Sequence, residues 1–378
     1  LLMMAGMTGV ALAGDFFTLF VFWEMMGISS YVLVAFLKYR WGPIEAGFKY
    51  LIMSATGSAF LLLSMSLIYG MSGTLNFAYL SASLRGVEPS PWLLLLLATL
   101  IVGFGVKSAI VPFHTWLPDA HPEAPGPISA LLSGIVIETG LYALMRVTYL
   151  TFTPSIYRSV FAALAVVTMT VANIMALLQN DLKRLLAYSS ISQIGYMLIG
   201  LSTGTAYGLM GALLHILNHS LMKGLAFLAA GNITHQTGMR DIEKLRGVGR
   251  MMPYTMLCLS ISLLGLGGVP ATNGFISKFI LFSSAIGAGM PILAVAGVLN
   301  SALSMAYYLR VMKNFISTPE GEFKAEEAPI LMVAVNILMA LLIILLGLWP
   351  QPAIRYADAA SRMLVEGLGR YVQAVVGR

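Results

Sequence analysis

Five ionisable side chains stand inside long apolar runs: Glu24 in FVFWEMMG, Lys107 in VGFGVKSAIVP, Glu138 in SGIVIETGLY, Lys223 in HSLMKGLAF and Lys278 in NGFISKFIL. A charge at the middle of a bilayer costs at least about 2.5–3.5 kcal/mol, even on the lenient insertion scale. Side chains kept at that cost are functional candidates, and three lysines with two glutamates permit pairing. In HILNHSLMK, His215, His219 and Lys223 follow at i, i+4 and i+8, so they share one helical face about a turn apart. Histidine titrates near neutral pH, and desolvation weakens a lysine's hold on its proton. The chemistry open to this set is the loading and release of protons along a short buried wire.

Each residue also has a plainer use. Glu24 with Lys107 would serve as a static buried ion pair locking two helices, although buried pairs stabilise weakly. His215 taken alone reads as a hydrogen-bonded core histidine. A two-histidine metal site fits the i, i+4 spacing, but no nearby Asp, Glu or Cys completes it. His114, Asp119, His121 and Glu123 sit in a proline-rich stretch, either as a gated access route or to satisfy backbone left exposed by a helix break.

The elements that must carry these residues are membrane helices. Hydrophobic residues make up 58% of the chain and charged residues 10%, and the mean hydropathy is +0.85. A soluble domain does not have that composition. Eleven apolar segments follow one another: 1–13, 16–37, 46–70, 92–111, 126–150, 156–179, 183–201, 205–231, 252–286, 290–316 and 328–349. The predicted fold is therefore all-α and polytopic, with about eleven spans. The net charge of +6 comes from short loops rather than one patch, so topology explains it better than nucleic acid does. Lys38 and Arg40, Lys183 and Arg184, the cluster Arg240, Lys244, Arg246 and Arg250, and Arg310, Lys313 and Lys324 fall on one side. That side is expected to be the cytoplasm of a cell-membrane protein, which puts the N-terminus inside and the C-terminus outside. The cluster from Arg240 to Arg250 reads as a solvated loop that fixes topology, while Arg146 and Arg158 run against the trend.

The first segment is too short to span, and Leu1 is not an initiator methionine, so part of the natural N-terminus is expected to be missing or the start unusual. No charged n-region of a signal peptide precedes it. Residues 351–378 mix Arg with apolar residues at helical spacing, as a terminal surface helix does. The fourth segment runs into Pro112, Pro118, Pro122, Pro125 and Pro127; the ninth is broken by Gly265, Gly267, Gly268, Pro270 and Gly274. Interrupted helices in corresponding places of two halves signal an inverted repeat. The expected organisation is a five-helix repeat over 1–150, its inverted copy over 156–316, and a final span with the surface segment over 328–378. No P-loop, CxxC, haem or iron–sulfur pattern is present, and Cys258 stands alone in an apolar run. No catalytic residue, cofactor or metal is expected on this chain, and any redox step belongs to another.

The runs VKSAIVPFHTWLPDAHPEAPGPISALLSG, DLKRLLAYSSISQIGYM, ALLHILNHSLMKGLAFLAAGNI and GVPATNGFISKF, in that order, closely resemble the antiporter-like membrane subunits shared by respiratory complex I, Mrp-type sodium/proton antiporters and group 4 membrane-bound hydrogenases. The resemblance covers nearly the whole chain. It implies a fourteen-helix fold, partner membrane subunits, and a proton relay along the membrane midplane: Glu24 as its glutamate, Lys107 as the partner lysine, His215, His219 and Lys223 as the centre, and Lys278 as the last charged site. It implies proton or cation/proton transport with H+ and, where the cation is sodium, Na+. Two departures stand out. The helices that usually precede the glutamate-bearing pair are absent or expected on another chain, and Glu138 occupies a place where many members carry lysine. An acid there would pair with a lysine and impede the relay, or suit a cation such as sodium. A degenerate structural subunit and a stand-alone exchanger are the alternatives. The HPEAPGPISALLSG stretch is most similar to Mrp-related hydrogenase or sulfur-reducing assemblies of archaea.

Overall fold

The computed structural model describes residues 1–84, 87–319 and 325–377, and every regular element among them is helical. Lys324 lies outside the described residues. In order come α1 (Leu2–Leu12), α2 (Phe16–Val34), α3 (Trp41–Ser72), the short α4 (Phe77–Leu84) and α5 (Pro91–Lys107). Then α6 (Leu117–Glu123) and α7 (Gly126–Leu131) follow, and α7 runs through a π-helical turn (Leu132–Val136) into α8 (Ile137–Thr151). The second half holds α9 (Pro154–Leu177), α10 (Leu182–Thr203), α11 (Ala206–Thr237), the single turn α12 (Val248–Met251), α13 (Pro253–Gly267), α14 (Asn273–Gly287) and α15 (Pro291–Ile316). The chain closes with α16 (Ile330–Leu348), α17 (Gln351–Val365) and α18 (Leu368–Val376).

Eight of these are long and apolar enough to cross a bilayer, counting Gly126–Thr151 as one rod. Helices α1, α5 and α13 are apolar but shorter. Three of the eleven expected segments thus lack the helical length to cross alone, and in the ninth the missing length is supplied by α14. The helix ends carry ordinary signals. Asp15, Ser90, Asp181 and Thr205 accept backbone N–H groups at N-caps, and Gly73, Gly204 and Gly238 close α3, α10 and α11 in the left-handed conformation.

Loops pair on each side. Asp15 bridges to Asn76 at one end and Asp181 to Asp241 at the other. At the second end Arg40, Lys183 and Arg240 line one cavity, which places the basic loops together as expected. Arg240 is more than a solvated loop charge, however. It reaches Glu123 and Asp181 at 3.3 Å each and donates to the Pro122 carbonyl, so it ties the α6 turn to the loops around α10. The two arginines that run against the trend also have local work. Arg146 donates to the Ala11 carbonyl at 3.0 Å and Arg158 to that of Ala288 at 2.6 Å, satisfying carbonyls that the ends of α1 and α14 leave free.

The architecture centres on α10, buried along its length except at Arg184 in its first turn and packed against α6, α9, α11, α14 and α15. Both expected breaks are present. Helix α5 stops at Lys107, and Trp116 Nε1 returns to the Val106 carbonyl at 2.7 Å to satisfy its end. Between α13 and α14, five residues leave the helix, and a Cβ at Gly274 would stand 2.0 Å from the Gly265 carbonyl oxygen. Only glycine lets the second half close on the first. Each break also holds an alanine at positive φ, Ala109 at 53° and Ala271 at 70°. Such a conformation costs about 1–3 kcal/mol and persists only where the surroundings enforce it.

Candidate functional site

In the first half, α2, α3 and α5 bring a half-buried Glu24 and the buried Lys107 to neighbouring hydroxyls of α3. Lys107 is the last residue of α5 and 1% exposed. Its ammonium donates to Ser54 Oγ at 3.0 Å and Tyr50 Oη at 3.2 Å, and it sits 4.8 Å from the Tyr50 ring centroid. Glu24 accepts from Ser58 Oγ. Ser54 and Ser58 are one turn apart on α3, so acid and ammonium hang from successive turns of the same helix. Among the described residues the two make no direct ion pair; each holds its own serine of α3 instead. Gly27 makes this approach fit, because a Cβ there would stand 3.3 Å from the Lys107 ammonium.

At the centre, Glu138 is 2% exposed and its carboxylate meets His219 Nδ1. Its partner is a histidine, not a lysine. The π-helical turn ends just before Glu138, and a single π turn shifts the register of the side chains that follow it. Ser133, in that turn, holds Ser190 of α10 at 2.6 Å.

His215, His219 and Lys223 share a face of α11, and among the described residues no hydrogen bond joins one directly to the next. Each reaches a different neighbour. His215 binds Ser277 Oγ through Nδ1 at 2.8 Å and Gln193 Oε1 through Nε2 at 3.0 Å. His219 turns to Glu138, and the two imidazole centroids lie 6.3 Å apart. Lys223 donates to Ser189 Oγ at 2.7 Å and the Leu186 carbonyl at 2.8 Å, while Ser189 in turn meets Tyr308. The links therefore cross to α10, where Ser189 and Gln193 stand one turn apart opposite Lys223 and His215.

Gln193 carries the line onward. Its Nε2 donates to the Leu266 carbonyl at 3.1 Å, and Lys278 donates to the same oxygen at 2.7 Å. That carbonyl belongs to the last turn of α13, where no later N–H of the helix is available. Lys278 also holds Ser301 Oγ at 3.0 Å and lies 4.4 Å from the Tyr196 ring centroid. Around this line His219 Nε2, Asn218 Oδ1 and both side-chain polar atoms of Asn273 are buried without a hydrogen-bond partner.

The residues of the proline-rich stretch separate. Asp119 is a surface hub, paired with Lys49 at 3.1 Å and Arg184 at 3.0 Å. His114 is half-buried beside Tyr188. His121 is fully buried, neither ring nitrogen has a partner, and it stacks on Phe227 with centroids 4.4 Å apart. The other side of that neighbourhood holds Lys223, 6.0 Å from the Phe227 centroid. Beside His121, on the side of the basic loops, is a cavity of about 460 Å³ lined by Pro122, Glu123, Lys183, Asn232 and Arg240. Trp116, rather than Asp119 or His121, satisfies the backbone at the break.

Sequence reasoning missed Ser54, Ser58, Ser189, Gln193 and Tyr308. For Ser189 and Gln193 the buried run YSSISQIGYM was the available signal, since so many polar side chains in one span need partners inside the bundle.

Comparison with known proteins places the chain in a family. The family model described as NADH:quinone oxidoreductase/Mrp antiporter, transmembrane, matches residues 13–304. F(420)H(2) dehydrogenase subunit N of Methanosarcina mazei is 35% identical over 373 residues, covering 95% of this chain and 76% of that one. A chain of an archaeal membrane-bound sulfane sulfur reductase superposes with a TM-score of 0.91 at 35% identity, covering 98% of this chain and 76% of the other. A chain of the Mrp complex from Dietzia sp. gives a TM-score of 0.92 at 25% identity, covering 99% and 78%. The chain belongs to the transmembrane family shared by NADH:quinone oxidoreductases and Mrp antiporters.

Proposed function

We propose that this chain is a proton-translocating or cation/proton antiporter-like membrane subunit of a membrane-bound redox complex, with no redox chemistry of its own. The observation that carries this reading is the buried line Lys107, Glu138, His219, Lys223, His215 and Lys278, with a half-buried Glu24 at its start, each held by neutral polar groups or by another member of the set. A buried charge without such partners would be neutralised or expelled.

In this reading a proton enters from the basic-loop side through the cavity beside His121 and is taken up at Lys223. It passes to the Lys278 end through the α10 hydroxyls, Gln193 and His215, with water bridging at the unpartnered atoms of Asn218, His219 and Asn273. Gln193 takes part by holding the bridge, since an amide does not titrate. Lys107 and Glu24 act on the centre through space. Two unit charges about 4 Å apart interact by about 4 kcal/mol at an effective dielectric of 20, and the coupling falls with the larger separation of charges that make no direct ion pair. The basic-loop side is the cytoplasm, the C-terminal helices lie on the opposite face, and the two broken-helix halves over 1–150 and 156–316 are inverted copies.

The test is transport by the assembled parent complex in sealed vesicles. Lys223→Ala should lower ion flux on the order of tenfold or more, as loss of a positioned proton-transfer group does elsewhere, and Lys107→Ala should lower it less. Varying sodium with and without a protonophore names the ion. Undiminished flux with a normally assembled complex makes this chain a structural spacer.

A further inference from the structure

A second, smaller cavity of about 260 Å³ opens on the face opposite the basic loops, between α8, the start of α11 and the terminal helices α17 and α18. Its walls are apolar: Met145 and Leu150 from α8, Leu209 and Leu213 from α11, Met363 and Leu368 from the terminal helices. At its edge stands Arg146, with the phenol rings of Tyr142 and Tyr371 nearby. No carboxylate among the described residues lies within ion-pair distance of Arg146. One of its nitrogens serves the Ala11 carbonyl, and the guanidinium covers the Phe77 ring at 5.1 Å, so donors remain for an anion.

Size and depth decide what fits. A helix is about 10 Å across with its side chains, and one turn of it displaces far more than 260 Å³. An apolar cavity of about 150 Å³ accepts a benzene, so 260 Å³ takes part of one hydrocarbon chain. Arg146 follows Glu138 by eight residues on one helix, which places it about 12 Å nearer the surface at 1.5 Å per residue. From mid-bilayer that depth lets a guanidinium snorkel to the level of lipid phosphates.

We infer that this slot holds one anionic phospholipid, with an acyl chain between α8, α11 and α18 and its phosphate on Arg146. The lipid then fastens the amphipathic terminal helices to the rod that carries Glu138. The inference stands apart from the relay, because its readout is bound lipid.

The test uses the parent complex purified from vesicles of mixed phosphatidylglycerol and phosphatidylcholine. After mild detergent washing, retained lipid is counted by native mass spectrometry. Wild type should keep one more phosphatidylglycerol than Arg146→Gln. Leu213→Trp, which fills the slot and leaves the arginine in place, should lose the same lipid, and Arg146→Lys should keep most of it. Equal retention in wild type and Leu213→Trp overturns the inference, as does equal retention of phosphatidylcholine. Displacement by millimolar inorganic phosphate also overturns it, by showing a simple anion site instead of a lipid site.

Discussion

At the scale of single residues, the buried charges are held by partners that their own sequence neighbourhoods do not reveal. Glu138 and His219 come from α8 and α11, and each is fully enclosed. Removing one leaves the other buried without its partner, which costs about 1–3 kcal/mol, and more where a charge remains. Glu138→Ala and His219→Ala should each destabilise the assembled chain by that amount. A double-mutant cycle on thermal unfolding should give a coupling of at least about 1 kcal/mol, and additive losses would separate the two side chains. The charged positions themselves were legible, because a lysine in an apolar run is conspicuous by its cost. Their connections were not. The i, i+4 spacing on α11 suggested a wire along one helix, whereas side chains at the same face can turn to different neighbours, as His215 and His219 do.

At the scale of elements, the two breaks are the parts most sensitive to small changes. Proline and glycine marked both in the sequence, but the left-handed alanines did not show, since alanine carries no signal for positive φ. Ala271→Gly should leave assembly intact and raise thermal stability slightly, by up to about 1 kcal/mol, because glycine adopts that conformation without strain. Gly274→Ala should do the reverse. Its methyl group would overlap the Gly265 carbonyl oxygen, so the expected outcome is poor assembly and a lowered melting temperature, with Lys278 displaced from Leu266. Normal assembly of Gly274→Ala would show that the break opens easily. The π-helical turn before Glu138 also escaped sequence reasoning, because SGIVIETG has the same helical pattern with or without it.

At the scale of the whole molecule, hydropathy and loop charge gave the all-helical, polytopic class and grouped the basic loops on one side. They did not show that α10 would be the most deeply buried helix, since its mean hydropathy is no higher than that of the less buried α11. Sidedness can be checked in intact cells that lack Cys258. Lys38→Cys should resist a membrane-impermeant thiol reagent added from outside, and Glu88→Cys should react with it; the opposite pattern inverts the topology. The central claim is that protons cross through this chain by way of the bridge between α11 and α10. The most direct measurement is the number of protons moved per electron by the assembled complex in sealed vesicles, comparing wild type with Lys223→Ala and Gln193→Leu. A fall in that ratio for both variants, with redox turnover and assembly retained, is the expected result; an unchanged ratio would place the proton path in another subunit.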